Sequence, residues 1–272
     1  MSRHSVLNSP RLSELKRRRR KVFQSKILLY LLAFSIAFAC LAYISRIDKL
    51  KISGVEISGN KVVEAEMIKT AVEQAVLGNY LFVFPKDNIL YYSKNTITDN
   101  LQGKFKRIKD INLSIEDEGK LKISVTEREA LYTWCEPERT ESEEKCYFMD
   151  ESGSVFDEAP FFSGEVYFKF YGPMHNFQKL ILLKEMLENM KLKPVALYVE
   201  ENEDIKILLS ARNSSGVKPE IIFKADSDFQ KVAENLETAL STEPLQSDFN
   251  NKYSSLEYID LRFGNKVYYK FK

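Results

Sequence analysis

A chain of 272 residues with 44% hydrophobic and 29% charged side chains has the make-up of one large or two modest globular domains, not of a disordered segment. With 10 Gly and 8 Pro it is neither collagen-like nor linker-rich, and two His and three Cys leave few of the side chains that metal sites and His-assisted catalysis need. The formal net charge of +1 conceals an asymmetry: residues 1–26 carry nine Lys and Arg against the single acid Glu14, whereas the rest carries 31 basic and 38 acidic side chains. A basic head on a mildly acidic body points to two compartments.

From Ile27 to Ile44 run eighteen residues without a charge, close to the roughly 20 needed to span a bilayer. Lys16, the run Arg17 to Lys21 and Lys26 precede the segment, and Arg46, Asp48, Lys49 and Lys51 follow it. By the positive-inside rule the N-terminus is expected in the cytoplasm and the body outside. The predicted organisation is a basic cytoplasmic tail over 1–26, a transmembrane helix over 27–44, and outer domains over 45–129 and 130–272. Two other readings of the apolar run stand beside the uncleaved anchor: a signal peptide cleaved after Ala37-Phe38-Ala39, and a lipoprotein signal ending at Cys40. All three export the body, and the basic run is expected to contact membrane lipid, not nucleic acid.

In the first outer domain, Val55 and Ile57 alternate with polar residues up to the Gly59-Asn60 turn, which predicts a strand. Val63, Met67, Ala71, Val72, Ala75 and Val76 recur at helical spacing, and Gly78-Asn79 ends that helix. Leu81 to Pro85 reads as a short apolar link. Asp87 or Asn88 is the expected cap of a second helix through Leu90, Ile97 and Leu101, stopping at Gly103. Ile111, Leu113 and Ile115, a Glu118-Gly119 turn, then Leu121, Ile123 and Val125 spell a hairpin. The order is β-α-α-β-β.

In the second domain, strands are predicted over 131–135 and 146–149 around an acidic loop, then at Val155-Phe156, 166–171, 195–200, 205–210 and 221–223. Leu180, Leu183, Leu187 and Met190 mark one helix. Phe229, Val232, Ala233, Leu236 and Leu240 mark another, capped by Asp226 or Ser227. Ile259, Leu261 and Phe263, the Gly264-Asn265 turn, then Val267, Tyr269 and Phe271 make a terminal hairpin. The class is α+β with a mostly antiparallel sheet.

No phosphate-binding loop, dinucleotide fingerprint, HExxH or GxSxG is present. The acid clusters Glu136–Glu144 and Glu200–Asp204 read as solvated turns. Neither an enzyme activity, a cofactor, a metal nor a small-molecule substrate is expected. Cys135 and Cys146 flank ten residues between two antiparallel strands, within disulfide reach if those strands pair, and export would permit oxidation; two unpaired thiols are the alternative, and zinc would need two further ligands. The final strand, Val267 to Phe271, neighbours Tyr258 to Phe263 and is a candidate sheet edge. Such an edge accepts a partner strand, unless Lys270 and Lys272 serve to protect it. Tyr258, Asp260, Arg262, Val267, Tyr268, Tyr269, Lys270 and Phe271 form the candidate partner site, with Tyr268 the exposed aromatic.

The motifs Val55-Glu56-Ile57-Ser58-Gly59-Asn60, Ile123-Ser124-Val125-Thr126-Glu127-Arg128, Phe148-Met149-Asp150-Glu151-Ser152-Gly153 and Tyr258 to Val267, in this order behind a single span, resemble the bacterial cell-division family FtsQ/DivIB over nearly the whole chain. Ala130 stands where the family usually has Pro. The resemblance implies that the first outer domain is a POTRA domain and the second the family's β domain. It implies a non-enzymatic divisome scaffold in the plasma membrane at the division septum. Its implied partners are the small bitopic proteins FtsB and FtsL and other divisome components, with FtsB docking near the C-terminal region. A POTRA protein of secretion or outer-membrane assembly is the alternative, although the remaining chain is too short and too helical for a membrane barrel.

Overall fold

The structure, a computed structural model, describes residues 10–136, 144–211 and 218–272; most of the expected acidic loop between Cys135 and Cys146, residues 137–143, lies outside the described residues. The chain divides into two compact units, Met1–Glu127 and Arg128–Lys272.

The first unit begins with α1 (Pro10–Ile44), which carries the basic run and the apolar run on one continuous helix. It is long and apolar enough to cross a membrane, and none of its most apolar window is buried against protein. There follow β1 (Gly54–Ser58), α2 (Ala65–Val76), the two-residue strands β2 (Asn79–Tyr80) and β3 (Phe84–Pro85), α3 (Lys94–Lys104), β4 (Ile108–Ile115) and β5 (Lys120–Glu127). The sheet order is β1-β5-β4, with β1 parallel to β5 and β4 antiparallel to it. Alternation along β5 turns Leu121, Ile123 and Val125 inward, where they meet Ile68 and Val72 of α2 and Ile97 and Leu101 of α3 in one apolar core. The second helix starts later than expected. Ser93, not Asp87 or Asn88, caps it, accepting the Thr96 N–H at 3.2 Å. Asn88 is buried and donates to the Ser45 carbonyl at 2.9 Å, so it ties down the end of α1 instead. The apolar link is a hairpin: Tyr80 pairs with Phe84 across residues 81–83.

One carboxylate ties the end of β5 to the loop before α2. Glu127, at the end of β5, accepts backbone N–H groups from Lys61 at 2.8 Å, Val62 at 3.0 Å and Val63 at 3.0 Å. Those donors precede α2, in the loop after the β1 turn. The turn needs glycine, because Gly59 has φ +84° and a Cβ there would lie 2.2 Å from the Val125 carbonyl oxygen. Burial pushes the Glu127 carboxyl up, but the three N–H donors outweigh it and hold the group below the usual glutamate range.

The second unit holds β6 (Tyr132–Cys135), β7 (Cys146–Met149), β8 (Val155–Ala159), β9 (Phe168–Tyr171), α4 (Phe177–Asn189), β10 (Pro194–Val199), β11 (Asp204–Leu209), β12 (Glu220–Lys224), α5 (Phe229–Leu240), α6 (Leu245–Lys252), β13 (Leu256–Phe263) and β14 (Lys266–Phe271). The strands form one sheet in the order β14-β13-β12-β11-β10-β9-β6-β7-β8. It is mostly antiparallel, with parallel pairs at β12/β13, β9/β10 and β6/β9. Leu183 and Leu187 of α4, Val232 and Leu236 of α5 and Phe249 of α6 share a core with Phe170, Leu197, Ile207, Phe223 and Ile259 from one face of the sheet. Asp228, not Asp226 or Ser227, caps α5 through the Gln230 N–H at 3.1 Å. At the start of the unit, Arg128 donates to the buried carboxylate of Asp150 at 2.5 Å, and the other Asp150 oxygen accepts the N–H groups of Ser152 at 2.9 Å and Ser154 at 3.0 Å. That arrangement fixes the tight turn at Gly153.

Replacing Glu127 with Gln removes the charge that three N–H groups share. Amide exchange across residues 61–63 of the full-length protein in detergent should accelerate about ten-fold, corresponding to roughly 1.4 kcal/mol of lost protection. Because the folded-state pKa is depressed, the wild-type contribution is present above the unfolded value near 4.3 and is lost as pH falls through the lower folded value. Unchanged exchange in the variant at neutral pH would show that the clamp is not stabilising.

Candidate protein-binding edge

The residues around the terminal hairpin take their places from strand alternation. Opposite β14, Ile259 faces Tyr269, Asp260 faces Tyr268 and Tyr258 faces Lys270. Val267, Tyr269 and Phe271 pack against the helix-covered core, while Tyr268 and Lys270 point to the other, helix-free face. Strand β14 is the last in the sheet order, and among the described residues no strand pairs with its outer side. Its unpaired backbone groups are therefore open to an added strand.

Two side chains counted in the site by sequence are engaged within the fold. Arg262 donates Nε to Asp260 Oδ1 at 2.9 Å, Nη2 to Asp260 Oδ2 at 2.6 Å and Nη1 to Asp204 Oδ2 at 2.6 Å. Both aspartates are buried, and Asp204 comes from the cluster Glu200–Asp204 that sequence alone reads as solvated. Burial raises Asp260, but the Arg262 hydrogen bonds, a backbone N–H and the Arg262 charge more than offset it, leaving the carboxyl below its ordinary range. These hydrogen bonds likewise raise the guanidinium's own pKa. Asp260 and Arg262 thus brace β13 against β11 across the outer face. Lys270 is salt-bridged to Glu257 at 2.6 Å, which raises its pKa; Tyr258 is half-buried.

Alternation alone misplaces one aromatic. Phe263 shares the parity of Ile259 and Leu261, which would send it into the core. A register shift between Asp260 and Phe263 turns it out instead. It is 56% exposed and meets the 50% exposed Tyr268 edge-on, with ring centroids 5.3 Å apart. The Arg262 guanidinium lies over the Phe263 ring at 5.7 Å. Two exposed rings beside a free strand edge are the kind of anchor that interfaces use. The one advance sign of the bulge is the Gly264-Asn265 turn directly after Phe263.

Elsewhere on the outer face, Cys135 and Cys146 face each other in register and are joined by a disulfide, with Cα atoms 4.0 Å apart. The Glu136 N–H donates to the Lys145 carbonyl at 2.9 Å, so the cysteines occupy the adjacent position, where antiparallel strands run closest. Both sulfurs are committed to this bond, although Glu144 lies close enough to complete a three-ligand group. Glu144 instead accepts from Lys169 at 2.5 Å and from the Tyr171 hydroxyl. Tyr171 stacks on Tyr198 at 4.1 Å, and burial, followed by the Glu144 hydrogen bond, pushes its pKa up. Cys40 sits exposed on α1.

Two outcomes follow from these contacts. Arg262→Met should destabilise the fold by roughly 2–3 kcal/mol in thermal or urea unfolding, because it strands the buried carboxylates. The wild-type Asp260 contribution is present above the unfolded pKa near 3.9 and disappears as pH falls through the lower folded value, so the deficit should narrow in acid. A deficit unchanged down to strongly acidic pH would contradict the assignment. Unreduced peptide mapping should recover Cys135 linked to Cys146, and the double alanine variant should lose about 2–3 kcal/mol on the chain-entropy model; two freely alkylated thiols in protein from its native compartment would refute the bond.

Comparison with protein-family models and with curated proteins gives no match for this chain.

Proposed function

We propose that this chain is a non-enzymatic, membrane-anchored scaffold of the bacterial division machinery, of the FtsQ/DivIB kind. In this reading the span holds the protein in the plasma membrane with the N-terminus in the cytoplasm, the β-α-α-β-β unit is a POTRA domain, and the second unit is the family's β domain. The observation that carries it is the free terminal strand β14 with its Phe263–Tyr268 pair, at the C-terminal end of a chain whose N-terminal helix is long and apolar enough to span a membrane. The motif order quoted above supplies the link to the family. The partner is a small bitopic division protein of the FtsB or FtsL type, whose extended segment adds to β14 through backbone hydrogen bonds, with its side chains meeting Phe263 and Tyr268.

The basic excess of residues 1–26 over the segment after Ile44 supports the orientation. A POTRA protein of secretion or outer-membrane assembly is the competing reading, and localisation separates the two. A fluorescent fusion should gather at midcell in dividing cells, and a uniform peripheral signal would reject the division role. In a pull-down of the small bitopic partner with the detergent-solubilised protein, Tyr268→Ala should weaken binding about ten-fold, or roughly 1.4 kcal/mol, without lowering the unfolding temperature. Full binding by a folded protein carrying both Tyr268→Ala and Phe263→Ala would move the partner away from this edge.

A further inference from the structure

The first unit contains a turn that local chemistry does not favour. Between Tyr80 and Phe84, Leu81 has φ 48° and Phe82 has φ 62°, the left-handed region that Gly and Asn normally occupy. Each such non-glycine residue carries a backbone penalty. The strain gains little burial within the protein, since Leu81 is 75% and Phe82 95% exposed. Two large apolar side chains are thus held out at the tip of a strained hairpin.

The hairpin's surroundings follow from its attachment to α1. Arg46, just past the helix, donates to the Val83 carbonyl at 3.3 Å. The Phe84 ring meets Phe38 edge-on, with centroids 5.3 Å apart. Phe38 lies six residues before Ile44, about 9 Å back along the helix axis and inside the uncharged run. The base of the hairpin thus lies beside the uncharged run of α1. An apolar groove of about 430 Å³ runs between them, lined by Leu41, Ile44, Tyr80, Phe84, Leu90 and Tyr91. The margin has the residues of a membrane–water boundary: Tyr80 lies under the Lys86 ammonium at 5.6 Å and beside Tyr91 at 6.4 Å, and Lys49 and Lys51 follow Arg46 in the chain.

We propose that the β2–β3 hairpin is a second membrane contact, with Leu81 and Phe82 inserted among the phospholipid acyl chains of the leaflet nearest the folded units, and an acyl chain filling the groove. The assignment rests on the reading of α1 as a membrane span. Insertion removes the two side chains from water, which offsets the backbone strain, and gives α1 a flanking wedge that restricts its rotation and tilt.

The test uses the full-length protein in phospholipid nanodiscs. Trp134, the sole native tryptophan, is replaced by Phe, and single reporters are introduced as Phe82→Trp, Leu81→Trp or, within the span, Phe34→Trp. With lipids brominated near the top of their acyl chains, the residue 82 and 81 reporters should emit at blue-shifted wavelengths and be quenched about two-fold, and the residue 34 reporter should be quenched by deeper bromines. Quenching at residue 34 with water-like emission at 81 and 82 overturns the hairpin proposal and leaves the span intact. Blue-shifted but unquenched emission at 81 and 82 places protein, such as a second copy, against the hairpin and also overturns it. No quenching at residue 34 removes the span and the proposal together.

Discussion

A sheet of nine strands whose helices α4, α5 and α6, among the described residues, pack into one core on one face imposes a rule on its strands: successive residues must serve two different surroundings. The inward set of the second unit is apolar and shared among α4, α5 and α6. The outward set is organised, among the described residues, by side chains: the Arg262 bridge to Asp260 and Asp204, the Tyr171–Tyr198 stack and the Cys135–Cys146 bond. Each of these links neighbouring or next-neighbouring strands where no second layer does so. The exposed rings of Phe263 and Tyr268 meet each other and, through Phe263, Arg262, all within the terminal hairpin.

Alternation is also what made much of this legible. Val267, Tyr269 and Phe271 face the core and Tyr268 and Lys270 face outward, as the period-two pattern requires. What could not be read depends on residues distant in sequence. Arg262 finds Asp204 across 58 positions, so an acid in an ordinary turn motif became a buried partner. The parallel pairs β6/β9 and β12/β13 join strands with no shared turn to announce them. Asn88 has the chemistry of a helix cap, but the end of α1 claimed its amide, and Ser93 took that role. Leu81 and Phe82 concealed a hairpin because neither is a turn residue. Helix α6 is mostly polar, and only Leu245 and Phe249 in it are buried, too few to set a period.

The two units begin and end on adjacent side chains. Glu127 closes the first through the loop before α2, and Arg128 opens the second through the Asp150 turn. Three of the motifs that carry the family resemblance therefore hold places where backbone donors and a carboxylate need particular residues: Glu127 with Gly59 in the first unit, and the buried Asp150 with Gly153 in the second. No composition-based reading would weight them so heavily, because each depends on a few hydrogen bonds and one glycine conformation.

The parallel pairing of β1 with β5 has a consequence for how the chain is made. Ser58 faces Ser124, 66 residues later, while β4 and β5 meet across a short turn. During synthesis β1 emerges well before β5, the strand it pairs with. Until β5 follows, Val55 and Ile57 have no partner strand, and the loop behind them lacks Glu127. The β4–β5 hairpin and its packing on α3 are local and form quickly, whereas enclosing β1 must await closure of a long loop. For that interval the nascent chain displays a short unpaired β-strand whose backbone donors and acceptors only β5 will satisfy.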